Sequence, residues 1–95
     1  MKSYVLIHEH APAECTVAYA AWNGFDSPLR GRPVPSTCAR HLAPAGPSAA
    51  PSPAPRGHEI WWTTKAQDEA SALRQLPPYV RERTHVREVS EVMIG

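Results

Sequence analysis

The chain has 95 residues, among them 11 prolines and 5 glycines, so it holds one small domain at most and part of it lies outside any packed core. Hydrophobic residues make up 42% and charged residues 20%, a globular balance that excludes wholesale disorder, collagen and coiled coil. Ten Lys and Arg against nine Asp and Glu leave a net charge of +1, too weak a field to draw in a nucleic-acid backbone or an anionic membrane, so neither is an expected partner.

From Lys2 to His10 the chain alternates Tyr4, Leu6, His8 and His10 on one face with Val5, Ile7 and Glu9 on the other, the period of a strand. The apolar run inside it, Tyr4 to Ile7, falls short of a signal h-region of roughly 7–15 residues and of a membrane span of roughly 20. The expectation is a chain that starts at Met1 and stays in the cytoplasm. Pro12 to Trp22 places Cys15, Ala18, Tyr19 and Trp22 on one helical stripe, with Pro12 in the first turn and Asn23-Gly24 as the C-terminal cap. Phe25 to Pro33 reads as a loop. Val34 to His41 reads as a short edge strand, with Pro33 and Pro35 at its tolerant start.

Residues 43–57 are expected to be a disordered Pro/Ala-rich loop between the second and third strands of a single domain covering 1–95. Its centre, Pro44 to Pro55, contains only Pro, Ala, Ser and Gly, and its five prolines block both helix and ladder. Pro44-Ala-Gly-Pro47 has the spacing of a PxxP ligand, but a tolerated hairpin insertion explains the tract as well. His58 to Thr64, rich in aromatic and β-branched residues, is the strongest strand pattern in the chain. Thr64 to Gln67 has capping-box spacing and predicts a helix that carries Ala66, Ala70, Leu73 and Leu76 and stops at Pro77-Pro78. A short turn from Pro78 to Arg83 and a last strand from Val86 to Ile94 complete the chain.

This order, strand-helix-strand-strand-helix-strand, resembles the ferredoxin-like split βαβ fold. The resemblance implies an α+β domain of βαββαβ type: a four-stranded antiparallel sheet ordered 4-1-3-2 with both helices on one face. The adjacent Trp61 and Trp62 must then point to opposite sides of the sheet, and with Val5 and Ile7 they leave apolar surface on the open face. In this the chain is similar to the dimeric α+β-barrel proteins. That similarity implies a homodimer paired through the sheet face and an internal cavity, used in that family for cofactor-free oxygenation, isomerisation, cyclisation or haem handling. The Ala/Pro/Arg-rich composition points to a GC-rich bacterial genome.

The expected topology also gathers chemistry at one end of the sheet. His8, His10, Cys38, His41 and His58 are the ordered candidates for a transition-metal site, with Cys15 and His85 behind them, because imidazole and thiolate together suit zinc, nickel or copper. The rival reading is that histidines collect at sheet rims because strand ends meet water; no CxxC or HExxH signature decides between the two. Two cysteines are too few for a disulfide framework and read as reduced thiols, with a single Cys15–Cys38 bridge or a reactive Cys15 at a helix start as alternatives.

A second candidate is a small-molecule cavity lined by Tyr19, Trp22, Trp61 or Trp62, and Tyr79, with His8 at its mouth; the competing reading makes these aromatics plain core. Arg30-Gly31-Arg32 offers either a clamp for a carboxylate or phosphate or a solvated basic loop. No phosphate-binding, dinucleotide, nucleophile-elbow or kinase pattern occurs. The functional expectation is a small-ligand or transition-metal binder at the His-rich end, with a cofactor-free enzyme and a non-catalytic interaction module as the alternatives.

Overall fold

Tyr4, Leu6, His8 and His10 are all buried, while the residues between them are half-buried or exposed, and this alternation makes the first strand the centre of the fold. The structure, a computed structural model, describes residues 1–38 and 58–95. Strand β1 (Lys2–His10) is flanked on both sides by antiparallel partners, β2 (His58–Ala66) and β3 (Thr84–Val89), in the order β2-β1-β3. Leu6 lies opposite Trp62 on one side and Val86 on the other, and His10 lies opposite His58 in the last pair of the β1–β2 ladder. Directly opposed residues share a face, so this register puts Tyr4, Leu6, Ile60 and Trp62 on the inner side.

Three short helices cover that side. A 3-10 turn at Pro12–Glu14 leads into α1 (Cys15–Ala20), and α2 (Glu69–Leu73) and α3 (Pro78–Arg81) follow β2. Ala72, Leu76 and Val80 from the second half of the chain and Leu29 from the long loop complete the core around Tyr4, Leu6 and Trp62. Each fully buried side chain of Leu size contributes about 1.5–3 kcal/mol. The outer face bears Val5, Ile7 and Trp61 half-buried among charged neighbours such as Glu59, Lys65 and Arg87.

The four-stranded ferredoxin-like βαββαβ expectation is overturned: among the described residues the sheet has three strands, and three short α-helices accompany it. Of the expected second strand at Val34–His41, the described part, residues 34–38, holds one isolated bridge, Ser36 to Ile60. Pro33 and Pro35 explain why no ladder grows there, since neither has an N–H to donate. The segment holds on through Trp61 N–H to Pro35 O (3.0 Å) and Thr37 N–H to Glu59 O (2.9 Å). His41 and the Pro/Ala-rich tract 43–57 lie outside the described residues.

Element bounds also differ from the sequence expectation. The first helix is split, with only Cys15–Ala20 fully helical. Thr64 does not cap the next helix, because it stays in the ladder opposite Tyr4 and its hydroxyl donates to Gln75 Oε1 (2.7 Å). The cap is Asp68, whose carboxylate accepts from Ser71 N–H (2.7 Å). The last strand begins at Thr84 and ends at Val89, paired with Ser3, because β1 has almost no residues left beyond that point. Among the described residues no helix is long and apolar enough to cross a membrane.

Candidate metal centre

Two backbone pairings and one tight turn converge at one end of the sheet. His10 and His58 face each other across β1 and β2, and continuing the Ser36–Ile60 pairing by two residues sets Cys38 across from His58. The Cys38 N–H is fixed by Ser36 Oγ (2.9 Å). The 3-10 turn after β1 then brings Cys15, the first residue of α1, over the same end. All four residues are buried, and one donor atom from each falls within 4.8 Å of every other: His10, Cys15, Cys38 and His58 form a group that can hold a metal ion.

The distances inside the group fit a small tetrahedral cation. The Sγ atoms of Cys15 and Cys38 are 3.8 Å apart, far beyond a disulfide bond. Two thiolates on one zinc at about 2.3 Å each would lie about 3.8 Å apart at the tetrahedral angle. Cys15 Sγ is 3.0 Å from His58 Nδ1, and the rings of His10 and His58 meet edge to face at 5.4 Å.

A chain of hydrogen bonds sets the donor atom of His10. His8 Nδ1 lies 3.3 Å from Val80 O and 3.4 Å from Thr84 Oγ1, and that hydroxyl itself donates to Val80 O. A carbonyl can only accept, so His8 carries its proton on Nδ1 and presents a lone pair at Nε2. His8 Nε2 is 2.8 Å from His10 Nδ1, which must therefore donate. This leaves the lone pair of His10 on Nε2, a buried nitrogen with no hydrogen-bond partner. His58 Nε2 is likewise buried without one. Leaving such an atom unsatisfied costs about 1–3 kcal/mol, and a cation bound by the imidazole lone pair offsets that for His10.

The protonation states agree with this. Burial, followed by the neighbouring His10, lowers the pKa of His8 to about 4 against the opposing pull of Val80 O. His10 is also shifted down, by burial and then by His58. Both rings are therefore neutral near pH 7, the form in which imidazole binds metals.

Glu14 anchors the turn that delivers Cys15. Its carboxylate accepts from Ala11 N–H (2.9 Å), from the Tyr79 hydroxyl (2.5 Å) and from Arg83 Nε (2.8 Å), while the Arg83 guanidinium stacks 3.7 Å over the Tyr79 ring. The Tyr79 hydrogen bond, then those from Ala11 and Arg83, hold the Glu14 carboxyl at a pKa of about 2. Tyr79 thus works in this anchor.

Of the five residues ranked first for metal from the sequence, His10, Cys38 and His58 lie in the cluster and His8 supports it from behind. His41 lies outside the described residues. Cys15, ranked lower, is the fourth member, and His85 sits exposed within β3 opposite Ile7, on the other face. The clue to Cys15 was its place at the start of a helix that begins a few residues after His10.

Of the aromatic candidates, Tyr19, Trp22 and Trp62 line one cavity of about 200 Å³, together with Ile60 and the loop residues Leu29, Arg30, Gly31, Arg32 and Val34. Trp61 points to the outer face, and Tyr79 is not among the lining residues. The loop residues had no periodicity by which the sequence could place them. No protein-family model matches the chain, and neither the curated proteins nor the solved structures give a significant match, so the His10–Cys15–Cys38–His58 cluster stands on its own geometry.

Proposed function

We propose that this chain is a zinc-binding protein in which His10, Cys15, Cys38 and His58 hold one ion in a closed, structural site. The observation that carries the reading is the buried group of two thiols and two imidazoles whose donor atoms lie within 4.8 Å of one another, with an S···S separation of 3.8 Å. Two sulfur and two nitrogen donors in a tetrahedron favour zinc over nickel(II) and copper(II), which prefer tetragonal N/O surroundings. Four protein ligands leave no open position for a water or substrate, so the role is to fix structure rather than to hydrolyse.

The ligands explain what would be fixed. They come from the end of β1, the start of α1, the end of the proline-containing segment and the start of β2, so one ion ties together four stretches that short helices and a small core hold only in part. Cys38 and His58 also flank the Pro/Ala-rich tract in sequence, so a common ion would join the two ends of that tract.

The test is native mass spectrometry of the purified chain expressed with zinc, before and after treatment with a chelator. One zinc per chain, with a lower melting temperature after chelation, supports the reading. A chain that carries no zinc and whose melting temperature is unmoved by chelator or added zinc overturns it.

A further inference from the structure

The loop from Gly24 to Val34 does more than join two elements. Leu29 is buried in the core, and Ser27 pins the loop to the turn after α2 by donating to Gln75 O (2.6 Å) while accepting from Leu29 N–H (3.1 Å). Gly31 adopts φ +81°, a conformation that side chains disfavour, and so turns the chain between Arg30 and Arg32. Both arginines line the cavity whose walls include Tyr19, Trp22, Ile60 and Trp62.

The two guanidiniums are not spent elsewhere. Arg30 donates from Nη1 to Phe25 O (3.4 Å) and Arg32 from Nη2 to Thr63 O (3.2 Å), both backbone carbonyls. Among the described residues the ion pairs involve Lys2 and Arg83, and neither Arg30 nor Arg32 takes part in one. A guanidinium has five N–H donors in a fork that matches a carboxylate, so each keeps donors in hand.

We infer that this cavity is a binding site for a small aromatic carboxylate, its ring held among Tyr19, Trp22 and Trp62 and its carboxylate by Arg30 and Arg32. Size and charge choose the ligand. Apolar cavities of about 150 Å³ accommodate a single benzene ring, and this one, at about 200 Å³, has room for one ring and a substituent. Aromatic walls favour a planar apolar body, and a pair of cations without carboxylate partners favours an anion. The cavity is distinct from the metal cluster, which shares none of its lining residues, although Tyr19 also packs edge-on against His10 at 6.2 Å.

The experiment is an NMR titration of the isotope-labelled, zinc-treated chain with benzoate and, separately, with neutral benzamide, following the three indole N–H signals. The expected result is saturable shifts at Trp22 and Trp62 with Trp61, on the other face, unmoved, and benzoate binding about 10-fold or more tighter than benzamide. Arg30→Ala and Arg32→Ala should each erase most of that preference while leaving the indole signals folded. Absence of saturable shifts, equal affinity for the two probes, or shifts of equal size at Trp61 would each overturn the inference. The wild-type comparison of the two probes needs no variant to fold, and zinc binding is measured independently of both.

Discussion

The Sγ atoms of Cys15 and Cys38 lie 3.8 Å apart in a buried pocket, although 23 residues separate them in the chain. Two thiols so placed either share a cation or stand ready to oxidise together. Hydrogen peroxide converts two thiols to one disulfide and is itself reduced to two waters. The chelated protein should therefore lose two hydrogens per chain under peroxide, with Cys15 and Cys38 joined in one peptide pair on mass spectrometry, and zinc should protect both. Equal oxidation with and without zinc would show that the thiols do not share an ion.

His8 is expected to act on the metal through His10. Its Nε2 accepts from His10 Nδ1 at 2.8 Å and so turns the His10 lone pair toward the cluster. Outer-sphere partners of this kind are worth about 10–100-fold in metal affinity. His8→Ala should weaken zinc binding within that range, as read by competition with a chromogenic chelator, while the stoichiometry stays at one. His10→Ala should cost more and abolish stoichiometric binding. Identical behaviour of the two variants would mean that His8 is itself a ligand or a mere packing residue.

Acid should destabilise the chelated protein in a defined window. The folded His8 has a pKa of about 4, below the roughly 6.5 of an unfolded histidine, so between those values the unfolded chain binds a proton that the native chain does not. Stability must fall as pH drops through that range, and His10, shifted in the same direction, adds to it. Glu14 extends the decline: its contribution is complete above the ordinary carboxyl range and is lost as pH falls toward about 2. Chemical denaturation at a series of pH values checks this, and a flat profile from pH 7 to 4 would contradict the buried, neutral state of the two rings.

The core carries its own expectation. Leu6 is fully buried between Trp62 and Val86, so Leu6→Ala should cost about 2–5 kcal/mol in urea denaturation. Glu9→Ala, on an exposed position of the same strand, should change stability by less than about 0.5 kcal/mol.

The sequence exposes the two paired strands because alternation from Lys2 to His10 and the aromatic and β-branched run from His58 to Thr64 are strong local signals, and β1 and β2 run through the residues they mark. It misses the course of residues 34–38 for an equally local reason: Pro33 and Pro35 leave a stretch that touches β2 at Ser36 without growing a ladder there, and only the tertiary setting decides how much pairing survives. The gathering of His10, Cys38 and His58 follows from strand ends meeting and is legible once strands are placed. The part played by Cys15 depends on how tightly the chain turns after His10, and that turn is held by Glu14 reaching Tyr79 and Arg83, more than sixty residues away. No pattern along the sequence carries a contact of that range. The aromatic cavity is legible in part from Tyr19, Trp22 and Trp62, but the meeting of Arg30 and Arg32 with those rings is hidden, since the loop that carries them has no period.

His10, Cys15, Cys38 and His58 should bind cobalt(II) as one site, and the spectrum of that ion reports both ligand type and geometry. Titrating the chelated chain with cobalt should reach an end point at one equivalent, with thiolate charge-transfer absorption in the near ultraviolet and the intense visible bands of a tetrahedral site. Zinc should abolish both by displacement, and Cys15→Ser or Cys38→Ser should weaken the charge-transfer band. Weak, octahedral-type visible absorption with no thiolate band and no end point would contradict a shared site, and would mean that four buried donors lie together without sharing a metal.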